Sequence, residues 1–317
     1  MAKKVATREA YGDTLMELGE KDPRIVVLDA DLSKSTKTAG FGKAYPHRFF
    51  NMGIAEADMM GTAAGLATCG LIPFASTFAV FATGRVLDQV RNSIAYPSLN
   101  VKIAATHAGI TVGEDGGSHQ SVEDIALMRA LPNMTVMVPA DARETKKAIE
   151  AAVEREGPVY IRLGRSGVPM VSSEEDPFVL GKGSVLREGS DITIIAVGIM
   201  VSMALEAADS LSDKGVQARV INLSTIKPLD SQLITESARA TGLVVTAEEH
   251  SIIGGLGSAV AEVLGENCPV PLKRIGIQDV FGESGPPELL LEKYKLTSGS
   301  IEKAALELLE KKKNRQI

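Results

Sequence analysis

Short apolar runs rich in β-branched residues alternate with helical stretches along almost the whole chain. Ile25-Val-Val-Leu-Asp29, Leu71-Ile-Pro-Phe-Ala75, Val101-Lys-Ile-Ala-Ala-Thr106, Thr135-Val-Met-Val-Pro139 and Val159-Tyr-Ile-Arg-Leu163 are separated by segments long enough to hold a helix. Parallel strands need such crossovers, so the rhythm predicts a mainly parallel sheet covered on both faces. Helices are expected over 5–20, 82–95, 122–129 and 142–154, the last capped by Asp141. Residues 166–190 change character: Pro169, a Ser-Ser-Glu-Glu-Asp-Pro run, then Gly181, Gly183 and Gly189, which read as a linker with a short hairpin. The alternation then resumes, with strands at 192–197, 218–222, 243–247 and 273–277. Helices are expected at 201–213, 230–241, 256–265, 287–294 and 300–312, with Pro287 in a first turn. The class is therefore α/β, with two α/β domains of mainly parallel sheets. Their boundaries fall at 1–170 and 191–317, with a linker over 171–190.

Composition narrows the partners. At 317 residues the chain can bury two cores, and 44% hydrophobic with 23% charged residues is ordinary for a soluble protein. A net charge of −6 gives no reason to expect nucleic acid or an acidic membrane. Cys69 and Cys268 lie far apart, with no CxxC spacing, which suggests a reducing compartment and no structural metal site. Cys69 falls at a helix end and is expected to be buried. The stretch from Met1 to Arg8 lacks an apolar signal core, and no apolar run reaches the ~18 residues needed to span a bilayer. The expected location is cytoplasmic.

The stretch most able to carry chemistry is 51–81. Glu56 opens a helix of small residues in which Met59, Met60, Ala63, Ala64 and Ala67 recur at helical spacing, while Gly61 and Gly65 lie one turn apart. So little side-chain bulk lets another backbone come close. Phe78 and Phe81 follow, in a chain with only 4% aromatics and no Trp. On pattern alone, Glu56 is a first-turn acid that favours the helix dipole, and the two Phe are core residues.

The motif Gly53-Ile-Ala-Glu56-Ala, followed by Gly-Thr-Ala-Ala-Gly-Leu-Ala and Ser-Thr-Phe78-Ala-Val-Phe81, resembles the pyrimidine-binding domain of thiamine-diphosphate enzymes, transketolase above all. The resemblance implies that Glu56 hydrogen-bonds the aminopyrimidine ring and that Phe78 and Phe81 pack against it. A carboxylate there lets the ring's amino group act as an internal base, and a dry pocket strengthens the bond. Asp31 and Leu32, at the exit of the first strand, resemble the family's cofactor-side residues.

The run Thr106-His107-Ala-Gly-Ile-Thr-Val-Gly113-Glu-Asp115-Gly-Gly-Ser-His119-Gln120 is the most specific match to transketolase. It implies that His119 and Asp115 contact the hydroxyls of a ketose donor and that His107 helps to hold its phosphate, His107 and His119 being catalytic with Glu56. Independently of the family, a glycine-rich loop at a strand's carboxyl end lets a backbone approach a ligand, and histidine can donate to sugar oxygens and shuttle protons. Arg8, Ser35 and Arg165 resemble the phosphate-binding set, with Arg162 a competitor for Arg165. Two departures stand out. Gly84 takes the place where many transketolases have a third aromatic, so the ring cage is more open or is closed by another side chain. The Gly-Asp-Gly motif that the family uses for Mg²⁺ and the diphosphate is absent.

The resemblance therefore implies one subunit of a split transketolase. An N-terminal subunit would bring Gly-Asp-Gly and Mg²⁺, the thiamine diphosphate would lie between chains, and the assembly is expected to be a heterotetramer, α2β2, acting on phosphorylated sugars of the pentose phosphate pathway. The alternatives are a deoxyxylulose phosphate synthase-like or 2-oxo-acid dehydrogenase β-like subunit, and a non-catalytic scaffold. The cluster Gly254-Gly-Leu-Gly257-Ser-Ala-Val260 only weakly imitates a dinucleotide loop and reads as a structural turn that could hold a small anion. His250 reads as structural or interfacial, His47 as surface.

Overall fold

In a computed structural model, which describes residues 4–315, the alternation builds two mainly parallel sheets. The first has seven strands in the order Thr225–Lys227, Thr135–Met137, Val159–Arg162, Lys102–Thr106, Ile72–Phe78, Ile25–Asp29 and Phe49–Asn51. Its neighbours run parallel except at one edge, where Thr225–Lys227 lies antiparallel to Thr135–Met137. The second sheet has five strands, ordered Leu272–Ile277, Val244–Ser251, Ile192–Ala196, Ala218–Asn222 and Ser184–Arg187, and only the last is antiparallel. The α/β class with two parallel-sheet units is what the alternation demands. Ile25–Asp29, Ile72–Phe78 and Lys102–Thr106 are buried at every position, as strands with helices on both faces must be.

The two units share a core. One apolar cluster runs from Leu28, Met60 and Val90 in the first half to Leu223, Ile226 and Val260 in the second. The strand Thr225–Lys227 belongs by sequence to the second half yet completes the first sheet.

Three local expectations need correction. The helix expected at 82–95 is instead Ala79–Thr83, a turn, Leu87–Gln89 and a wide final turn over Val90–Ala95. Val86 leaves the helical region at φ −124° and ψ 21°, just after Gly84, so the run cannot propagate. No hairpin forms in the connecting segment. Gly167–Val168 pairs antiparallel with Val5–Ala6, and Ser184–Arg187 joins the edge of the second sheet beside Ala218–Asn222. The acid that caps the helix Ala142–Glu154 also holds this segment: Asp141 accepts from the Glu144 N–H at 2.9 Å and from the Val171 and Ser172 N–H groups, both at 2.7 Å. Cys69 is exposed, not buried, because it lies past the last turn of its helix. Both cysteines are free, and no described helix is long and apolar enough to cross a membrane.

The chain runs outward from Ile25–Asp29 to Phe49–Asn51, then returns on the other side as Ile72–Phe78. The direction of winding therefore reverses beside the first strand. In open parallel sheets a crevice forms at such a reversal, beyond the strands' carboxyl ends. Asp31, Leu32, Glu56, Phe78, His107 and Arg165 all lie on segments leaving those ends.

Candidate functional site

Glu56 is the first residue of the helix Glu56–Thr68 and is 3% exposed. Its position favours an acid through the helix dipole. Met59, Met60, Ala63 and Ala64 turn inward. Gly61 and Gly65 turn outward, and a methyl group added at either would meet nothing within 4 Å. The small-residue surface is thus divided between a core face and an open face. Both Glu56 carboxylate oxygens accept from Nη1 of Arg85, each at 3.0 Å. Arg85 sits on the turn after Gly84, and its guanidinium lies 4.0 Å from the centroid of the Phe81 ring. In the sequence nothing marks this residue out, because a single Arg beside a glycine looks like any surface charge.

Aromatic rings from a strand end, the helix that follows it and the loop after the next strand converge beside it. Phe78 and Phe81 are nearly parallel, with centroids 5.9 Å apart and planes at 11°. His107 stacks on the other ring neighbour, Phe78, at 3.8 Å. His119 presents its edge geometry to both phenyl rings, at 5.5 Å from Phe81 and 6.3 Å from Phe78.

His107 has φ +57°, where the chain turns sharply off the strand Lys102–Thr106. Arg8 Nη1 lies 3.1 Å from its Nε2, and Thr106 Oγ1 lies 2.9 Å from its Nδ1. Arginine only donates, so Nε2 accepts and the proton resides on Nδ1, which donates to Thr106. Burial, then the charges of Arg8 and Arg165 and the neighbouring His119, push the imidazole down to about 3. His107 is therefore a neutral ring. Arg8 also donates to the Ser35 carbonyl at 2.9 Å, and its Nε is buried without a partner. Burial, together with Arg165, lowers the Arg8 pKa. Ser35 thus meets Arg8 through its backbone, not its hydroxyl.

The two competing arginines separate clearly. Arg162 is buried, bonds Asp124 Oδ2 at 2.8 Å and donates to the Glu249 carbonyl at 2.9 Å. Arg165 is partly exposed on the site side, donates to the Val112 carbonyl and lies 3.5 Å from Glu114 and 3.9 Å from Asp115. Asp31 is exposed at φ +62° and exchanges hydrogen bonds with the Asn51 side chain. Leu32 is half-buried, and its N–H donates to Asp29 Oδ1 at 2.6 Å. Asp29, equally unmarked in the sequence, organises this turn by accepting from Thr36 and Thr38 as well, and burial raises its pKa.

The glycine-rich loop packs closely on the chain itself. Its glycines admit the chain's own second half. A Cβ on Gly109 would sit 2.2 Å from the Glu249 carboxyl carbon, and one on Gly117 would sit 2.6 Å from the Gly282 carbonyl oxygen. Gly113 and Gly116 face Pro287 and Ser284. Gln120 donates to the carbonyls of Ile110, Gly113 and Glu283, and so binds the loop to that segment. The Gly254–Gly257 turn is structural, as its sequence reads, and a side chain of the protein occupies the helix start behind it: Glu248 accepts from the Leu256 and Gly257 N–H groups at 2.6 and 2.8 Å. His250 is buried, donating to the Ser251 carbonyl through Nδ1 and accepting from the Ala126 N–H through Nε2. His47 is exposed.

A buried acid beside a near-parallel phenyl wall fits a planar ring that bonds a carboxylate, and the unpartnered buried guanidinium N–H of Arg8 beside the neutral His107 fits a separate anionic group. Among the described residues, no group of three or more His, Cys, Asp or Glu side chains is placed to hold a metal ion.

Residues 3–170 match the family model described as transketolase, pyrimidine binding domain, and residues 181–301 match transketolase, C-terminal domain. A protein described as a transketolase C-terminal section from Methanocaldococcus jannaschii is 53% identical, with 96% of each chain covered. A 6-deoxy-6-sulfo-D-fructose transketolase subunit from a Clostridium species is 50% identical, over 96% of this chain and 95% of that one. A solved split-gene transketolase, described as an inactive beta4 tetramer, superposes with a TM-score of 0.90 at 60% identity, over 97% of this chain and 99% of that one. A 1-deoxy-D-xylulose-5-phosphate synthase from Heliobacterium modesticaldum is 40% identical, but this chain spans only 48% of its length.

Proposed function

The chain belongs to the transketolase family, and from that premise we propose that it is the C-terminal subunit of a split transketolase. It would move a two-carbon ketol unit from a ketose phosphate to an aldose phosphate once an N-terminal subunit completes the site. Thiamine diphosphate, the cofactor implied by the family, supplies when bound the activated carbon that carries the ketol unit. The reading rests on one observation above the others: Glu56 is a buried carboxylate joined through Arg85 to the Phe81 face of the Phe78–Phe81 wall. In this reading Glu56 orients the ring and makes its amino group basic in function, while Phe78 and Phe81 exclude water around it and Asp31 and Leu32 stand on the cofactor side. His107 and His119 face the donor sugar with Asp115. Arg8, Arg165 and the turn at Ser35 hold its anionic end, for which guanidinium groups are suited. The partner brings Gly-Asp-Gly, Mg²⁺ and the diphosphate cradle, in an α2β2 assembly. The open face bearing Gly61 and Gly65 lies beside Glu56 on the same helix and is assigned to the subunit contact.

The test is ketol transfer by the purified chain alone and after mixing with an N-terminal subunit carrying Gly-Asp-Gly. Activity is expected only in the mixture, and full activity of the chain alone would refute the split. Xylulose 5-phosphate, 6-deoxy-6-sulfofructose and pyruvate should be offered as alternative donors. Turnover of pyruvate in preference to both sugars would favour the deoxyxylulose phosphate synthase-like reading, which the similarity to that enzyme supports.

A further inference from the structure

We propose that Arg85 is an internal competitor for the cofactor ring, occupying the place between Glu56 and Phe81 until the ring displaces it. The inference rests on the reading of Glu56 as the ring's partner. The guanidinium makes the two contacts that an aminopyrimidine would make there. It donates N–H to the Glu56 carboxylate, 3.0 Å from each oxygen, and it stacks over Phe81 at 4.0 Å. Both groups are flat, both donate in their plane, and both present a face to a phenyl ring. They cannot use the same carboxylate edge and the same ring face together.

The two partners differ in freedom. Glu56 is 3% exposed and fixed at a helix start, whereas the Arg85 side chain is 47% exposed. Arg85 also stands on the break between Ala79–Thr83 and Leu87–Gln89, behind a glycine. A single nitrogen serves both oxygens, a weaker arrangement than two parallel bonds from a guanidinium fork. The contact is strong enough to keep a buried acid from standing unpaired, and loose enough to yield. The residue also stands next to Gly84, where many transketolases have a third aromatic, so in this chain the open side of the cage is filled by a half-exposed cation. Without a cofactor Arg85 protects the acid; when the ring arrives, its departure is a cost on binding.

The experiment is calorimetric titration of thiamine diphosphate, with Mg²⁺ present, into the chain reconstituted with its N-terminal subunit. Wild type, R85A, R85K and E56Q are compared, and thermal unfolding of each chain without cofactor is recorded. R85A is expected to bind the cofactor about five- to tenfold more tightly, the worth of one partly exposed ion pair with a stacked face. Its cofactor-free chain should melt at a lower temperature than wild type. R85K is expected to fall between wild type and R85A, since an ammonium can meet Glu56 but cannot stack as a plane. It carries the same sign test if R85A does not fold. Equal or weaker binding by the Arg85 variants, with weaker binding by E56Q, overturns the competitor and leaves the role of Glu56 standing. Unchanged binding in all three variants overturns both.

Discussion

Replacing His107 by Asn isolates the cost of keeping an imidazole uncharged inside the site. Asn is the replacement of choice because φ at this position is +57°, a region that Asn enters more readily than most residues. In the folded chain burial dominates, aided by Arg8, Arg165 and His119, and the ring's pKa falls to about 3 from its ordinary value of 6.5. Between those values the unfolded chain takes up a proton and the folded chain does not. The sign follows directly. Stability is present in full above pH 6.5 and is lost as the pH falls towards 3. At pH 5.5 the unfolded His107 is mostly protonated, so wild type should have lost about 1.4 kcal/mol relative to pH 7.5 through this residue. In H107N that loss vanishes. The bonds to Thr106 and Arg8 that the variant also loses shift both pH values equally and cancel. The assay is urea unfolding of both proteins at pH 5.5 and 7.5, with the pH-induced change in wild type compared with that in H107N. If the two changes are equal, the ring protonates freely in the folded chain, and the Arg8–His107 contact cannot be as described.

Arg162→Met should strand Asp124 in the interior with Tyr160 as its remaining side-chain partner, lowering stability by about 3–5 kcal/mol by urea unfolding. An unchanged midpoint would return Arg162 to candidacy as a phosphate ligand. Arg165→Met, at a partly exposed position, should change stability by less than about 1 kcal/mol while raising KM for a phosphorylated donor in the reconstituted enzyme. Gly109→Ala combines a positive φ with a collision against the Glu249 carboxyl group, and should cost about 2 kcal/mol or more. Asp141→Ala removes a helix cap and the tether of Val171 and Ser172, and should cost about 2 kcal/mol.

Most of the architecture was legible because the signals are local. The strand Ile25–Asp29 and the Asp141-capped helix follow from β-branched runs and capping chemistry. Phe49–Asn51 and Thr225–Lys227 were missed because three residues carry no periodicity, and because the latter completes a sheet built by the other half of the chain. The glycine-rich loop shows why residue type alone could not separate a ligand cradle from a packing surface. Glycine marks close approach, but the partner that approaches Gly109 and Gly117 comes from 249 and 282, far along the sequence. Glu248 at the Gly254–Gly257 turn is the same lesson, an anion site filled from within. The candidate site was legible in its members and not in its pairings. Glu56, Phe78, Phe81, His107 and His119 stood out by type and motif, whereas Arg85 and Asp29 matter only through the contacts that the fold creates.

The most direct test of the account is the ketol-transfer rate of the reconstituted enzyme with Glu56 replaced by Gln, an isosteric side chain without the charge. If Glu56 holds the ring and activates its amino group, kcat should fall by about 10²–10⁴-fold while the two chains still assemble. A variant that assembles and turns over at the wild-type rate would contradict the account and leave this chain a scaffold for chemistry done elsewhere.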